Sequence, residues 1–162
     1  MDQHERARLI AMYAEGPSLL RASWNRVPVD ARTWRPEPSE WSAHEIVVHC
    51  ADSESYAATR IRLLVAEPSP LIVGYDQEGW ARAFEYHTVP VEPALAVIDA
   101  VRTHTSFLLE TLSDNDWGKS GTHSESGSYS ATDWLNSYGN HLHDHAMQIQ
   151  ANVDAWNVRK GS

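Results

Sequence analysis

The chain has 162 residues, enough for one domain with a hydrophobic core, and we expect residues 1–162 to form a single domain. Its net charge of −9 disfavours binding to nucleic-acid phosphates, and no apolar run is long enough to span a bilayer. A single cysteine excludes an internal disulfide framework and, with a polar N-terminal stretch that lacks the apolar segment of a signal peptide, predicts a cytoplasmic protein.

The first half of the sequence predicts two long helices. The first spans roughly residues 2–24, and Pro17 within "EGPS" should kink or restart it because proline removes one backbone donor. After a loop with three prolines, Ser42 and Glu45 have the spacing of a capping box, which marks the start of a second helix. That helix should continue through "AHEIVVHCADSESYAATRIRLLVAE" and end before Pro68.

The second half predicts a crossover, two more long helices and a loop. Residues 67–91 contain a short helical stretch, "DQEGWARAFEY", and a third long helix should occupy roughly residues 92–112. The stretch "SDNDWGKSGTHSESGSYS" is typical of a loop, and a final helix should run from about residue 131 to 156. No stretch shows the sustained alternation of a strand. We therefore predict an all-α fold, a four-helix bundle with a long crossover between its second and third helices.

The stretch "HLHDHAMQIQ", residues 141–150, places three of the nine histidines of the chain within five positions. On a strand, His141, His143 and His145 would share a face, and "HLHDH" is one residue short of the H-x-H-x-D-H loop of metallo-β-lactamase-like hydrolases. The flanking apolar residues instead follow the three- and four-residue steps of a helix. On that helix His141 and His145 lie one turn apart, while His143 faces away.

Two imidazoles separated by four helical residues can converge on one metal ion, but a tight site needs a third ligand from a facing helix. The best candidate is His49, which lies on the core face of the second helix, whereas His44 points the other way. A buried histidine can also be satisfied by a hydrogen bond to a backbone or side-chain partner. The three histidines together, on two helices of one bundle, favour a metal site.

Two stretches about ninety residues apart, "WSAHEIVVHCADSE" and "YGNHLHDHAMQI", resemble paired motifs of the DinB-like superfamily of damage-inducible bacterial proteins. The similarity covers nearly the whole chain, including "YAEGP" in the first helix. It implies a four-helix bundle that holds a divalent metal with one histidine of the first motif and two of the second, at His49, His141 and His145. Cys50 replaces the leucine that usually follows the first histidine, and we expect it to pack in the core.

Three neutral imidazoles would leave such a metal its positive charge and an open position, which is the pattern of a catalytic site. A bound water would be acidified, and a bound thiol would be held as the thiolate. Zinc is the default metal, with nickel, iron and manganese as alternatives. The resemblance implies a metal-dependent transferase or hydrolase in which a low-molecular-weight thiol attacks a small electrophilic substrate.

Several further polar residues could support this site. Asp52, one helical turn after His49, could orient a ligand or a bound water, or it could be an exposed carboxylate on the flank of the helix. Tyr56 and Arg60 could reach an anionic substrate, or they could be a packed tyrosine and a snorkelling arginine. His123 could cap the open position of the metal or be solvated in its loop. Gln148 could form a hydrogen bond within the bundle.

Two alternatives to an enzyme remain open. The first is a non-catalytic metal-binding protein, such as a stress-response module that sequesters a ligand. The second is a structural bundle whose histidines are satisfied by hydrogen bonds. A deep cavity lined by Tyr56, Arg60 or tryptophans would favour an enzyme, whereas a closed four-ligand shell would count against one. We expect most of the seven tryptophans to be structural, and an exposed tryptophan face could support a homodimer.

Overall fold

The chain folds into six α-helices and a small sheet, described for residues 1–161 of a computed structural model. The helices are α1 (Gln3–Asn25), α2 (Ala43–Ala66), α3 (Gln77–Ala83), α4 (Val91–Thr111), α5 (Asp114–Trp117) and α6 (Ala131–Gly161). α1 packs against α4 and α6, and α2 packs against the same two helices from the opposite side. These four long helices confirm the predicted four-helix bundle. Within the described residues, no helix has both the length and the apolar character needed to cross a membrane.

The N-terminus of α2 forms as the sequence predicts. The hydroxyl of Ser42 accepts a hydrogen bond from the backbone N–H of Glu45, and the Glu45 carboxylate accepts one from the backbone N–H of Ser42. The guanidinium of Arg35 pairs with the same carboxylate. The helix ends at Ala66, ahead of Pro68, because the residue before a proline disfavours helical geometry.

The stability of the fold should depend on pH through the carboxyl group of Glu45. Burial raises the pKa of its carboxyl, but the hydrogen bonds from Arg35 and Ser42 outweigh burial and lower the pKa below its usual value. A carboxylate whose pKa is lowered in the folded state stabilises the fold above its unfolded-state pKa. That stabilisation is lost as the pH falls through the folded-state pKa.

We therefore expect Glu45→Gln to lower the free energy of unfolding by about 1–2 kcal/mol near neutral pH, since it weakens both the cap and the ion pair. At pH ~3 the difference from the wild type should shrink, because the protonated carboxyl has lost the same interactions. Urea denaturation at the two pH values measures this difference, and the exposed Glu40→Gln is the control. An equal loss at both pH values would contradict the assignment.

The helix α1 runs through Pro17 without interruption, so the predicted restart of the helix at this point is wrong. Proline lacks the N–H that would otherwise bond the carbonyl of Tyr13, one turn earlier. That carbonyl accepts a hydrogen bond of 2.8 Å from Nη1 of Arg102 in α4. A side chain of the neighbouring helix thus satisfies the freed acceptor, and the backbone has no need to break.

Residues 67–90 form the predicted long crossover between the second and third long helices. The segment contains β1 (Leu71–Ile72), α3 and a single turn of 3₁₀ helix, Tyr86–Thr88. The hydroxyl of Tyr86 donates to a carboxylate oxygen of Asp52 over 2.6 Å. This contact holds the crossover against α2.

The predicted loop at residues 113–130 contains regular structure, so this prediction is wrong. After α5, β2 (Ser120–His123) and β3 (Gly127–Ser130) form an antiparallel hairpin, and β1 pairs with β2 in parallel. Serine and glycine dominate these short strands, so they lack the apolar alternation that marks a strand in a sequence. The sheet covers one side of the bundle next to α2 and α6.

Buried apolar side chains form two clusters, one towards each end of the bundle, with a polar layer between them. One cluster includes Ile46 and Leu95, and the other includes Leu9 and Trp134. This layer includes Glu54 of α2, Arg102 of α4 and His141 of α6, and Gly16 of α1 lies next to Arg102. A Cβ on Gly16 would lie 3.0 Å from Leu142 and 3.4 Å from the Arg102 guanidinium, so the glycine leaves room for that guanidinium.

None of the seven tryptophans is exposed: four are buried and the other three are half-buried. All seven lie within the described residues, so the expected exposed tryptophan face is absent there. The tryptophans act instead as large anchors between helices, as the sequence predicts for most of them. A homodimer stays a prediction without a located surface.

Candidate metal centre

The two histidine-bearing stretches meet at the polar layer. One nitrogen from each of His49, His141 and His145 lies within 4.8 Å of the others. His49, in α2, is buried, and the two histidines of α6 are half-buried. The ring centroids are 5.8 Å apart for His49 and His141 and 5.0 Å apart for His49 and His145. The fold therefore brings the three predicted ligands together.

Hydrogen bonds fix the orientation of the two α6 imidazoles. Nδ1 of His141 donates to Oε1 of Glu54 over 2.8 Å, and Nδ1 of His145 donates to Oε1 of Gln148 over 2.9 Å. A neutral imidazole with its proton on Nδ1 carries a lone pair on Nε2. Each ring is thus held in the tautomer that a metal ligand bound through Nε2 requires. The hydrogen bond predicted for Gln148 is confirmed.

The two Nε2 atoms of His141 and His145 lie 3.2 Å apart. Two lone pairs at this distance repel each other unless a proton or a cation lies with them. A single proton can join only two nitrogens. The third imidazole, His49, adjoins the pair, and its buried Nδ1 has no hydrogen-bond partner. One cation can satisfy a nitrogen of each ring, whereas a shared proton leaves the third ring unsatisfied.

The surroundings keep two rings of the trio neutral. Burial, aided by the charges of His145 and His141, lowers the pKa of His49 to about 2. Burial and the charge of His141 lower the pKa of His145 to about 4. Both rings are therefore unprotonated near neutral pH, the form in which imidazole binds a metal. The ring of Trp41 packs against His49 with centroids 4.6 Å apart.

A buried ion pair holds the partner of His141 in place. Nε and Nη2 of Arg102 each donate to a carboxylate oxygen of Glu54 over 2.6 Å, and both side chains are fully buried. Burial raises the pKa of Glu54, but the charge of Arg102 and the hydrogen bond from His141 outweigh burial and lower it. The ionised carboxylate therefore links α4 to an imidazole of α6 and positions that ring.

Glu54 supports the trio, and the sequence alone does not identify it. Asp52, the carboxylate that could have taken this role, accepts a hydrogen bond from Tyr86 of the crossover instead. His123 lies in β2, outside the trio, and its Nδ1 accepts the backbone N–H of Glu125, so it does not complete the cluster. Cys50 is buried in the core, as expected.

His143 gives an internal reference for the trio because it belongs to the same stretch of α6. Its Nε2 lies 3.1 Å from the carbonyl oxygen of Met12 in α1. The ring therefore contacts the helix on the other side of α6, and the prediction that it faces away from His141 is confirmed. This geometry makes His143 a matched control for substitutions in the trio.

Two cavities flank the trio. One of about 250 Å³ is lined by His49, His141 and Arg60 among others. The other, of about 230 Å³, is lined by residues that include His145 and Trp41. Among residues 1–161, no fourth histidine, cysteine or carboxylate joins the cluster. Small molecules can thus approach the three imidazoles, and a closed shell of four side chains is not formed by the described residues.

Comparison with known proteins places the chain in a family. A model of the DinB superfamily matches residues 12–149. The chain belongs to the DinB superfamily. A relative from Oceanobacillus iheyensis, named as a proposed metal-dependent hydrolase, is 33% identical over 109 residues. That match covers 67% of this chain and 63% of the relative, so it spans less than two thirds of the relative's length.

Two other DinB comparisons cover more of the chain. A proposed metal-dependent hydrolase of Bacillus licheniformis is 27% identical over 154 residues, 93% of this chain and 86% of that protein. The structure of YfiT from Bacillus subtilis, described as a proposed metal-dependent hydrolase with an unusual four-helix bundle topology, matches with a TM-score of 0.86. It is 22% identical, and the match covers 99% of this chain and 90% of YfiT, which confirms the fold.

Proposed function

We propose that this DinB protein is a metal-dependent hydrolase whose divalent cation is bound by His49, His141 and His145. The observation that carries the proposal is the 3.2 Å separation of two Nε2 lone pairs next to a third imidazole with an unsatisfied nitrogen. This arrangement is unfavourable unless a positive charge lies among the rings. The names of the relatives, metal-dependent hydrolases, agree with this reaction class.

The donor set suits a catalytic divalent cation. Neutral nitrogen ligands leave the cation its full positive charge, and three protein ligands leave a position for a further ligand. Zinc fits this set best, with nickel, iron and manganese as alternatives. When bound, such a cation supplies a Lewis acid that polarises a carbonyl group or acidifies a coordinated water or thiol.

The side chains around the trio orient its imidazoles, shield one of them from solvent and place a positive charge nearby. Glu54 and Gln148 keep the protons of two imidazoles on Nδ1, so that Nε2 stays available. Trp41 packs on His49 and keeps solvent from one face of the ring. Arg60 lines the cavity of about 250 Å³ and presents a positive charge to molecules that enter it.

The cavities favour an enzyme over a purely structural bundle or a closed metal site, because neither of those needs space beside the imidazoles. A larger groove of about 760 Å³ adjoins the cavity of about 230 Å³, with which it shares Ser39, Trp41 and Glu78. This groove offers room for a second substrate. A low-molecular-weight thiol bound there would make the protein a transferase. Use of a thiol stays a prediction from the family resemblance.

A hydrolysis assay tests the proposed function. Protein loaded with zinc should cleave activated carboxylic esters or amides at a rate that rises in proportion to the bound metal. His145→Ala should lower this rate at least ~100-fold, since it removes a ligand rather than a supporting contact. His143→Ala, the matched control, should keep it. A rate that is the same in His145→Ala, or after metal removal, would exclude the proposed reaction.

Removing the metal should also lower the melting temperature. A cation that binds only the folded state, at ~100 times its dissociation constant, stabilises that state by about 2.7 kcal/mol. For a domain of this size, we expect a loss of roughly 5–10 °C on chelation. Calorimetry before and after dialysis against a chelator measures it. His145→Ala should show no such loss, and an unchanged wild-type value after verified metal removal would count against the site.

A further inference from the structure

Two arginines are buried in the described part of the bundle, and their charges are balanced differently. Arg102 is neutralised by Glu54. Arg60, in α2, is 9% exposed, and no carboxylate among residues 1–161 forms an ion pair with it. A guanidinium stays ionised in proteins, and a buried charge without a counter-ion is costly. Among the described residues, the charge of Arg60 therefore has no ion-pair partner.

The contacts of Arg60 orient the side chain without neutralising it. Nη1 donates to the hydroxyl of Tyr138 over 2.9 Å, and Nη2 donates to the carbonyl of Val73 over 2.6 Å. The rings of Tyr56 and Tyr75 lie 4.7 Å and 5.9 Å from Cζ and hold the guanidinium plane. Nε is buried and has no hydrogen-bond partner. Several of its N–H donors thus remain without a protein acceptor.

Arg60 faces the space next to the histidine trio. It lines the cavity of about 250 Å³ together with His49, His141 and the hydroxyl-bearing Ser53. Glu125 also lines this cavity, but its side chain is exposed and makes no ion pair with Arg60. A small molecule in the cavity can therefore contact both a fixed positive charge and the imidazoles.

We propose that Arg60 binds a carboxylate of the substrate in this cavity. The inference rests on the proposed function and deepens it, since it names small carboxylate-bearing molecules as the substrate class. One carboxylate balances the single charge of a guanidinium, and its two oxygens match the planar fork of N–H donors. A carboxylate held at Arg60 directs the remainder of the molecule towards His49 and His141.

Benzoate and its neutral isostere benzamide test this assignment on the full chain, in metal-loaded and metal-free forms. In both forms, NMR titration should show benzoate binding at least ~10-fold more tightly than benzamide, because only benzoate makes a charge-assisted pair. The metal-free form separates binding by Arg60 from direct coordination of the carboxylate by a metal. Arg60→Met should abolish the preference, and Arg60→Lys should keep a smaller one.

Arg62→Met is the control, because Arg62 lies in the same helix but donates to Ala58 and Thr105, away from this cavity. It should keep the wild-type preference. Equal binding of benzoate and benzamide by the wild type would overturn the proposal, and this result needs no variant to fold. Inorganic phosphate that binds more tightly than benzoate would also overturn the carboxylate assignment. A benzoate preference in a protein that binds no metal would support the Arg60 site and refute only the proposed hydrolase.

Discussion

Arg102→Met should lower the free energy of unfolding by about 3–5 kcal/mol. The substitution leaves the carboxylate of Glu54 buried without a counter-ion and removes hydrogen bonds to the backbone carbonyls of Tyr13 and Tyr138. The Tyr13 carbonyl is especially dependent on Arg102, because Pro17 cannot donate to it. Urea denaturation near neutral pH measures the loss as a shift of the transition midpoint.

The double variant Glu54→Leu/Arg102→Met is the matched control for this prediction. It removes both charges, and replacement of a buried ion pair by apolar side chains is often neutral or stabilising. We therefore expect the double variant to recover the part of the lost stability that comes from the unpaired carboxylate. It should still bind metal ~10–100-fold more weakly than the wild type, since His141 loses the acceptor that orients it. A double variant as unstable as Arg102→Met would contradict the importance of the unpaired carboxylate.

Alanine substitution of His49, His141 or His145 should each reduce bound metal from about one ion per chain to less than ~0.1, because two imidazoles do not make a tight site. Elemental analysis of protein purified without a histidine tag measures this content. The expected effect is the same for the ligand of α2 and for the two ligands of α6, since each supplies one nitrogen to the cluster.

His143→Ala is the control for these three variants. It removes a histidine from the same stretch, but its ring contacts Met12 on the other side of α6. Its metal content should therefore equal that of the wild type. A metal content that is insensitive to all four substitutions would show that the cation binds elsewhere, and the trio would then be a hydrogen-bonded cluster.

The helices and the pairing of His141 with His145 follow from local signals in the sequence. The capping box of Ser42 and Glu45 marks the start of α2, and the four-residue spacing of His141 and His145 places both rings on one face of α6. Such signals depend on neighbours within a turn or two of helix. They are therefore readable before the fold is known.

The burial and pairing of the charged residues in the bundle interior cannot be predicted from local signals, because they depend on partners that are distant in the sequence. Arg102 occupies a position in the buried stripe of α4 between Ile98 and Thr105, and this placement is the one local hint that it is not a surface residue. Nothing nearby identifies Glu54 as its partner, 48 positions earlier. For a carboxylate that supports the trio, the sequence alone offers Asp52, one helical turn after His49, but the Asp52 carboxylate contacts the crossover.

The hairpin at residues 120–130 could not be predicted for a different reason. Its strands carry serine, glycine and threonine, residues that give little apolar pattern, and β2 is stabilised by pairing with β1 about fifty positions earlier. Strand pairing of this kind is a property of the assembled fold. The cavity beside the trio, which Arg60 also lines, is likewise formed by residues that are far apart in the sequence.

Anomalous diffraction from crystals grown with Zn(II), recorded on both sides of the zinc absorption edge, tests directly whether imidazoles from α2 and α6 share one cation. We predict a single anomalous peak within about 2.1 Å of one nitrogen from each of His49, His141 and His145. A map with no peak among the three rings, or with zinc bound only at other positions, would contradict a metal centre in this bundle.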